Sequence, residues 1–138
     1  MKPMQPQMNT DEHGSESGSL DALTERIIGC AYTVSNSLGC GYLEKVYENA
    51  LAHELRKTGL HVEQQGPIRV WYDGICVGDY IADLLVEGTV LVELKCVRAI
   101  DEIHVAQCLN YLRATGRRVC LLMNFAKPKL EIKRLMNG

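Results

Sequence analysis

The chain has no apolar run approaching the length of a membrane span, and its first residues lack the basic-then-apolar order of a secretory signal. A cytoplasmic protein, without a membrane partner, is the expectation. It also has no Cys-x-x-Cys pair: the six cysteines stand at positions 30, 40, 76, 96, 108 and 120. The four histidines, at 13, 53, 61 and 104, show no ligand spacing with them. Most of the cysteines fall in apolar segments, where a free thiol behaves as a small hydrophobe, so disulfide and zinc frameworks both recede. There is no P-loop, nucleophile elbow or internal repeat. Positive charge is not in excess either. A net charge of −2 is not that of a generally basic nucleic-acid binder.

What is present is the composition of one soluble domain: 138 residues, 46% apolar and 23% charged, enough to bury an ordinary core. The charge is unevenly spread. From Arg113 to the end there are seven basic residues (Arg113, Arg117, Arg118, Lys127, Lys129, Lys133, Arg134) against the single acid Glu131. Such a local excess could guide a phosphate backbone. A strand edge carrying lysines against aggregation would look the same.

Residues 1–19 are rich in Met, Gln, Ser, Gly and acids without periodicity, and read as a disordered leader. From Leu20 apolar residues recur at 20, 23, 27, 31, 34 and 38, one face of a helix capped by Ser19 and ended by Gly39. A second helix is expected from about Tyr42 to Thr58, burying Leu43, Val46, Ala50, Leu51 and Leu55. Short strands follow, Leu60–Gln65 and Ile68–Tyr72, with a turn at Asp73-Gly74. Trp71 and Tyr72 could stack on a base, although cross-strand packing is the plainer account. A third helix runs from an Asp101 cap to Thr115 and closes at Gly116. Gln107 and Tyr111, four apart, share one of its stripes with Ile103. Strands at Arg118–Phe125 and Leu130–Leu135, the latter at an edge, complete the chain.

The informative stretch is Tyr80–Val97. It reads as two apolar strands about a tight turn at Glu87-Gly88-Thr89, interrupted by Asp83 in one arm and by Glu93 and Lys95 in the other. Glu93 and Lys95, two apart, share a face. A three-residue turn sets Asp83 opposite Glu93 on that face, whereas a two-residue turn puts them out of phase. Buried charges of this kind need partners or a metal. An internal ion network pairing Lys95 with Glu93 and Asp83 is the competing account. Glu44 lies on a stripe with Gly41 and Tyr47. On composition alone it is a first-turn glutamate favoured by the helix dipole.

The order helix, antiparallel strands carrying Asp…Glu-x-Lys, helix, strand resembles the PD-(D/E)XK, or restriction-endonuclease-like, superfamily. Within it the chain resembles the small GxxExxY proteins. Gly41-Tyr42-Leu43-Glu44-Lys45-Val46-Tyr47 is that motif, Ala82–Val86 and Val92–Lys95 resemble the two catalytic strands, and Gln107-x-x-x-Tyr111 resembles the helical motif of the exonuclease-type branch. Ser35 and Cys40 depart from the pattern, which has a histidine and commonly a proline there. The resemblance covers about residues 20–136. It implies a single α/β (α+β) domain over 20–138, with a central mixed sheet, an antiparallel catalytic hairpin and flanking helices. It further implies a metal-dependent nuclease acting on nucleic acid, with DNA the expected substrate. Asp83, Glu93, the Leu94 carbonyl and Glu44 would hold Mg²⁺ or Mn²⁺. Lys95 would position water or offset negative charge, and Gln107 and Tyr111 would orient Lys95 or touch the strand. Arg113, Arg117, Arg118, Lys127 and Lys129 would contact the backbone, and a homo-oligomer or protein partner would supply specificity. The alternative is a catalytically silent nucleic-acid-binding or partner-binding module on the same fold.

Overall fold

The computed structural model describes residues 9–138, with side chains from Gly18 onward. Helix α1 (Asn9–Leu38) packs beside α2 (Glu44–Lys57). A five-stranded sheet follows, built from β1 (Val62–Tyr72), β2 (Ile75–Val86), β3 (Val90–Lys95), β4 (Val119–Asn124) and β5 (Glu131–Met136), with α3 (Glu102–Thr115) crossing from β3 to β4. Strand order is β1-β2-β3-β4-β5, and every pair is antiparallel except β3–β4. The sheet is therefore mixed, flanked by helices on both faces, as expected.

The strands alternate between two cores. Val90, Val92, Leu94, Val119, Leu121 and Met123 face α1 and α2, against Ile27, Val34, Leu51 and Leu55. Leu91, Cys120 and Leu122 face α3, against Cys108, Tyr111 and Leu112. Strands β3 and β4 are covered on both sides, which is why they read as unbroken apolar runs. Glu93 and Lys95 alternate with the first set and so fall on the α3 face.

Several expectations change. Helix α1 begins at Asn9 rather than after Ser19, because turns added to an already packed helix cost only propagation. Leu20 and Leu23 of this helix pack against the core. Residues 1–8 of the expected leader lie outside the described residues. Helix α2 starts at Glu44, with Leu43 as its exposed cap; Val46 is also exposed, and the buried face is Tyr47, Glu48, Leu51, Ala52 and Leu55. The two short strands expected around Gly66-Pro67 are one strand, and Pro67 is tolerated because β1 is a sheet edge. Helix α3 is capped as expected. Asp101 Oδ1 accepts from Ile103 N–H, His104 Nδ1 accepts from Asp101 N–H, and Gly116 closes the helix with φ 71°.

Candidate active site

Val86 pairs with Val90, so the turn holds three residues, Glu87-Gly88-Thr89, of which Glu87 and Gly88 take positive φ. Leu84 pairs with Val92, and the next positions along, Asp83 and Glu93, stand opposite each other. There the backbone ladder stops and the side chains take over. Glu93 Oε2 accepts the Asp83 N–H at 2.8 Å, and Asp83 Oδ2 accepts the Leu94 N–H at 2.9 Å. Each carboxylate thus spends one oxygen on the opposite strand's backbone. A strand residue's C=O leaves on the same edge as its N–H, so the Leu94 carbonyl also points into this gap. The next residue turns the other way, and Lys95 O accepts from Phe125 N–H beside β4.

The gap opens because β1 and β2 bend together. Gln65, facing Asp83 between the paired positions Gln64↔Leu84 and Gly66↔Ala82, has φ 59°. Past the bend the faces exchange: Leu84 and Val86 pack toward α1 and α2, whereas Ala82 and Ile68 pack toward α3. A left-handed glutamine needs support. It comes from Glu48, only 3% exposed, whose carboxylate accepts from Gln65 Nε2 (2.9 Å), Gln64 Nε2 (2.8 Å) and Lys45 Nζ (3.1 Å). Sequence reasoning passed over Glu48. Its signal was a second glutamate one helical turn after Glu44, on the same side of α2.

The electrostatics are strained. Glu93 is 3% exposed, and burial, followed by the Asp83 charge, pushes its carboxyl up to about 8. Burial also raises Asp83, against the pull of the Leu94 N–H. Glu44 is exposed at the first turn of α2, yet its carboxyl is raised by desolvation against the protein and then by Asp83. Among the described residues, no cation forms an ion pair with Asp83 or Glu93. Lys95 Nζ instead donates to Gln107 Oε1 at 3.4 Å. The internal network that would have made this triad merely structural is not formed. Tyr111, buried beneath the site, is pushed up to about 12 by desolvation and then by Glu93.

A carboxylate pair, Glu93 buried and Asp83 half-buried, with one oxygen each left free of protein donors, together with a carbonyl, is a hard-oxygen donor set suited to a small divalent cation. Among the described residues, no three Asp, Glu, His or Cys side chains are grouped as ligands for one ion. Glu44 stands near enough to this pair for the Asp83 charge to raise its carboxyl. Its motif neighbours explain where it stands. Gly41 has φ 115°, which a side chain would strain, and the fully buried Tyr47 donates to Gly39 O at 2.6 Å while accepting the Tyr42 N–H at 3.2 Å. Tyr47 also stacks on Phe125 at 4.9 Å. The glycine and the tyrosine fold the loop that delivers Glu44 to this end of the sheet.

The basic residues do not form one surface. Lys127 and Lys129 follow the end of β4, where Asn124 pairs with Lys95. Arg117 donates to Gly88 O at 3.2 Å, and Arg118 precedes Val119, which pairs with Val90. Both arginines thus sit at the opposite end of the parallel β3–β4 pair, about 20 Å from Lys95 at ~3.3 Å per residue. Arg113 lies on α3 and lines a groove shared with Gln107 and Tyr111.

A family model described as the PD-(D/E)XK nuclease superfamily matches residues 21–135. The chain belongs to the PD-(D/E)XK nuclease superfamily. No curated protein matches the sequence. Among solved structures, LHK-Exo in complex with dAMP superposes with a TM-score of 0.53 at 20% identity, over 68% of this chain and 55% of that one. A second structure, of the alkaline exonuclease LHK-Exo from Laribacter hongkongensis, gives 0.45 at 20% identity, over 68% and 56%. At such identity the likeness concerns the fold, and the chain spans about half the length of those exonuclease chains. Superfamily members generally use divalent metal ions. Among the described residues, no helix is long and apolar enough to cross a membrane.

Proposed function

We propose that this member of the nuclease superfamily is an active phosphodiesterase that uses Mg²⁺ or Mn²⁺ to hydrolyse DNA, with residues 20–138 as its catalytic domain. Within the superfamily it falls among the GxxExxY proteins, on the strength of Gly41, Glu44 and Tyr47. The observation that carries the reading is the reciprocal Asp83–Glu93 arrangement, in which a half-buried and a buried carboxylate face each other, neither in an ion pair among the described residues, and Lys95 is held to one side by Gln107.

Asp83, Glu93 and the Leu94 carbonyl would hold the ion, and Glu44 would reach it through water. When bound, the ion supplies charge against the phosphate and acidifies water. Lys95 supplies an ammonium where negative charge grows on the phosphate, and the amide oxygen of Gln107 fixes its direction. Tyr111, raised to about 12, stays protonated at neutral pH and serves as a donor rather than an anion. Glu48 acts one step back, by holding the bend that presents Asp83.

The test is cleavage of DNA by purified protein with Mg²⁺ or Mn²⁺ added, beside Lys95→Ala. Metal-dependent cleavage that falls by about 10²–10³ in Lys95→Ala supports the proposal. Salt-sensitive binding of DNA with no cleavage under either ion would instead select the silent binding module.

A further inference from the structure

A groove of about 640 Å³ runs between α3 and the outer part of the β1–β2 ribbon, within the ~300–1,000 Å³ usual for small-ligand pockets. Its ribbon wall presents Trp71 and Tyr80, and its helix wall presents Gln107, Asn110, Tyr111 and Arg113. Trp71 is 61% exposed and Tyr80 50%, so two large aromatic faces meet water beside the candidate active site. Tyr80 and Tyr111 meet at 5.7 Å between centroids, tilted by 47°, forming an aromatic corner. The lining carries one formal charge, the Arg113 guanidinium, and no carboxylate. The groove and the active site share Gln107, the residue that holds Lys95.

We propose that this groove binds an unpaired nucleobase of the strand being cut, so that the substrate is single-stranded nucleic acid. The inference rests on the nuclease reading and names its substrate class. Aromatic walls bind a base through its π-face, and side-chain amides satisfy its edge. In a duplex both are taken, the faces by stacked neighbours and the edge by the pairing partner. Only an unpaired or extruded base offers them. Arg113 attracts the accompanying phosphates, and the shared Gln107 places the adjacent phosphodiester beside Glu93 and Lys95. A flat apolar contact with a second copy would not call for the amides and guanidinium of the helix wall.

Trp71 is the chain's sole tryptophan, so its emission reports this groove directly. Single-stranded deoxy- and ribo-oligonucleotides, and the blunt duplex of the same sequence, are titrated into the protein in EDTA. The expected result is saturable quenching by the single strands, at least tenfold weaker for the duplex. Tyr80→Ala, which leaves the reporter intact, weakens it about tenfold. The better of the two single strands identifies the sugar. With metal added, Trp71→Ala and Tyr80→Ala raise KM for single strands about tenfold and leave kcat within twofold. Both positions are exposed, and unchanged melting temperatures show that the variants fold. Equal quenching by duplex and single strand, or an unchanged KM in both variants, overturns the groove while the nuclease stands. Quenching without cleavage by any form keeps the base site and sinks the nuclease. A Trp71 emission shift that tracks protein concentration and dimerisation without nucleic acid overturns the proposal in favour of a second copy.

Discussion

The Asp83–Glu93 pair makes the metal-free protein less stable as pH rises, and Glu93→Gln isolates the effect. In the folded chain the Glu93 carboxyl titrates at about 8, against an ordinary 4.5. Between those values the folded state keeps a proton that the unfolded state has released, so stability falls with increasing pH, by at most about 1.4 kcal/mol per pH unit. Across the window the loss has a ceiling on the order of 5 kcal/mol. Asp83 is also raised and adds in the same direction. For a chain of this length ~1 kcal/mol moves the midpoint by roughly 3–5 °C, so a fall of about 10 °C between pH 5.5 and 8 is expected in EDTA. Glu93→Gln keeps an acceptor for the Asp83 N–H but loses the titration. Its midpoint should vary much less over that range, keeping only the Asp83 contribution, and lie above wild type at pH 8. Saturating Mn²⁺ binds the ionised pair and should reverse the wild-type slope, with about 2.7 kcal/mol of added stability at a hundred times Kd. A wild-type midpoint that stays level or rises in EDTA, or an undiminished slope in Glu93→Gln, would refute this account of the site.

Glu48→Ala leaves the Gln64 and Gln65 amides and Lys45 without their carboxylate. It should cost about 2–4 kcal/mol by denaturant unfolding and depress kcat through Asp83, while a merely structural role would leave the kcat of the folded fraction intact. Tyr47→Phe removes the bond to Gly39 O from a fully buried ring and should cost about 1–3 kcal/mol, read by thermal unfolding with Mn²⁺ absent. Lys127→Ala with Lys129→Ala should weaken DNA binding and flatten its logarithmic salt dependence by about one unit or more, whereas Arg117→Ala with Arg118→Ala should leave both unchanged. Equal effects from the two pairs would mean that the strand does not lie at the Lys95 end of the sheet.

Much of this was readable in the chain because local chemistry and tertiary demand agree. Asp101 and Gly116 bound α3 by capping rules that need no distant partner. Strands β3 and β4 read as apolar runs because both their faces are covered. The phase of Asp83 against Glu93 depended on one residue of turn length, which the sequence leaves open and the positive φ of Glu87 and Gly88 decides. What escaped were features set by distant contacts. Glu48 looks like any helix-surface glutamate until Gln64 and Gln65 fold over it. The bend at Gln65 has no glycine of its own to announce it, and Gly66-Pro67 beside it suggested a break between strands. The basic residues from Arg113 onward are close in sequence, but the length of β4 runs between Arg117 and Lys127 and sets them at opposite ends of the β3–β4 pair. Leu43 and Val46 fit an apolar pattern with Leu51 and Leu55, yet the helix rolls Tyr47 and Glu48 inward beside those leucines instead.

The most direct measurement is Mn²⁺ binding followed by electron paramagnetic resonance, for wild type, Asp83→Ala and Glu93→Ala, each then assayed for cleavage of single-stranded DNA. Saturable binding in wild type, lost in both variants together with cleavage, is the predicted result. Equal binding or equal cleavage in all three, with folding intact, would contradict it.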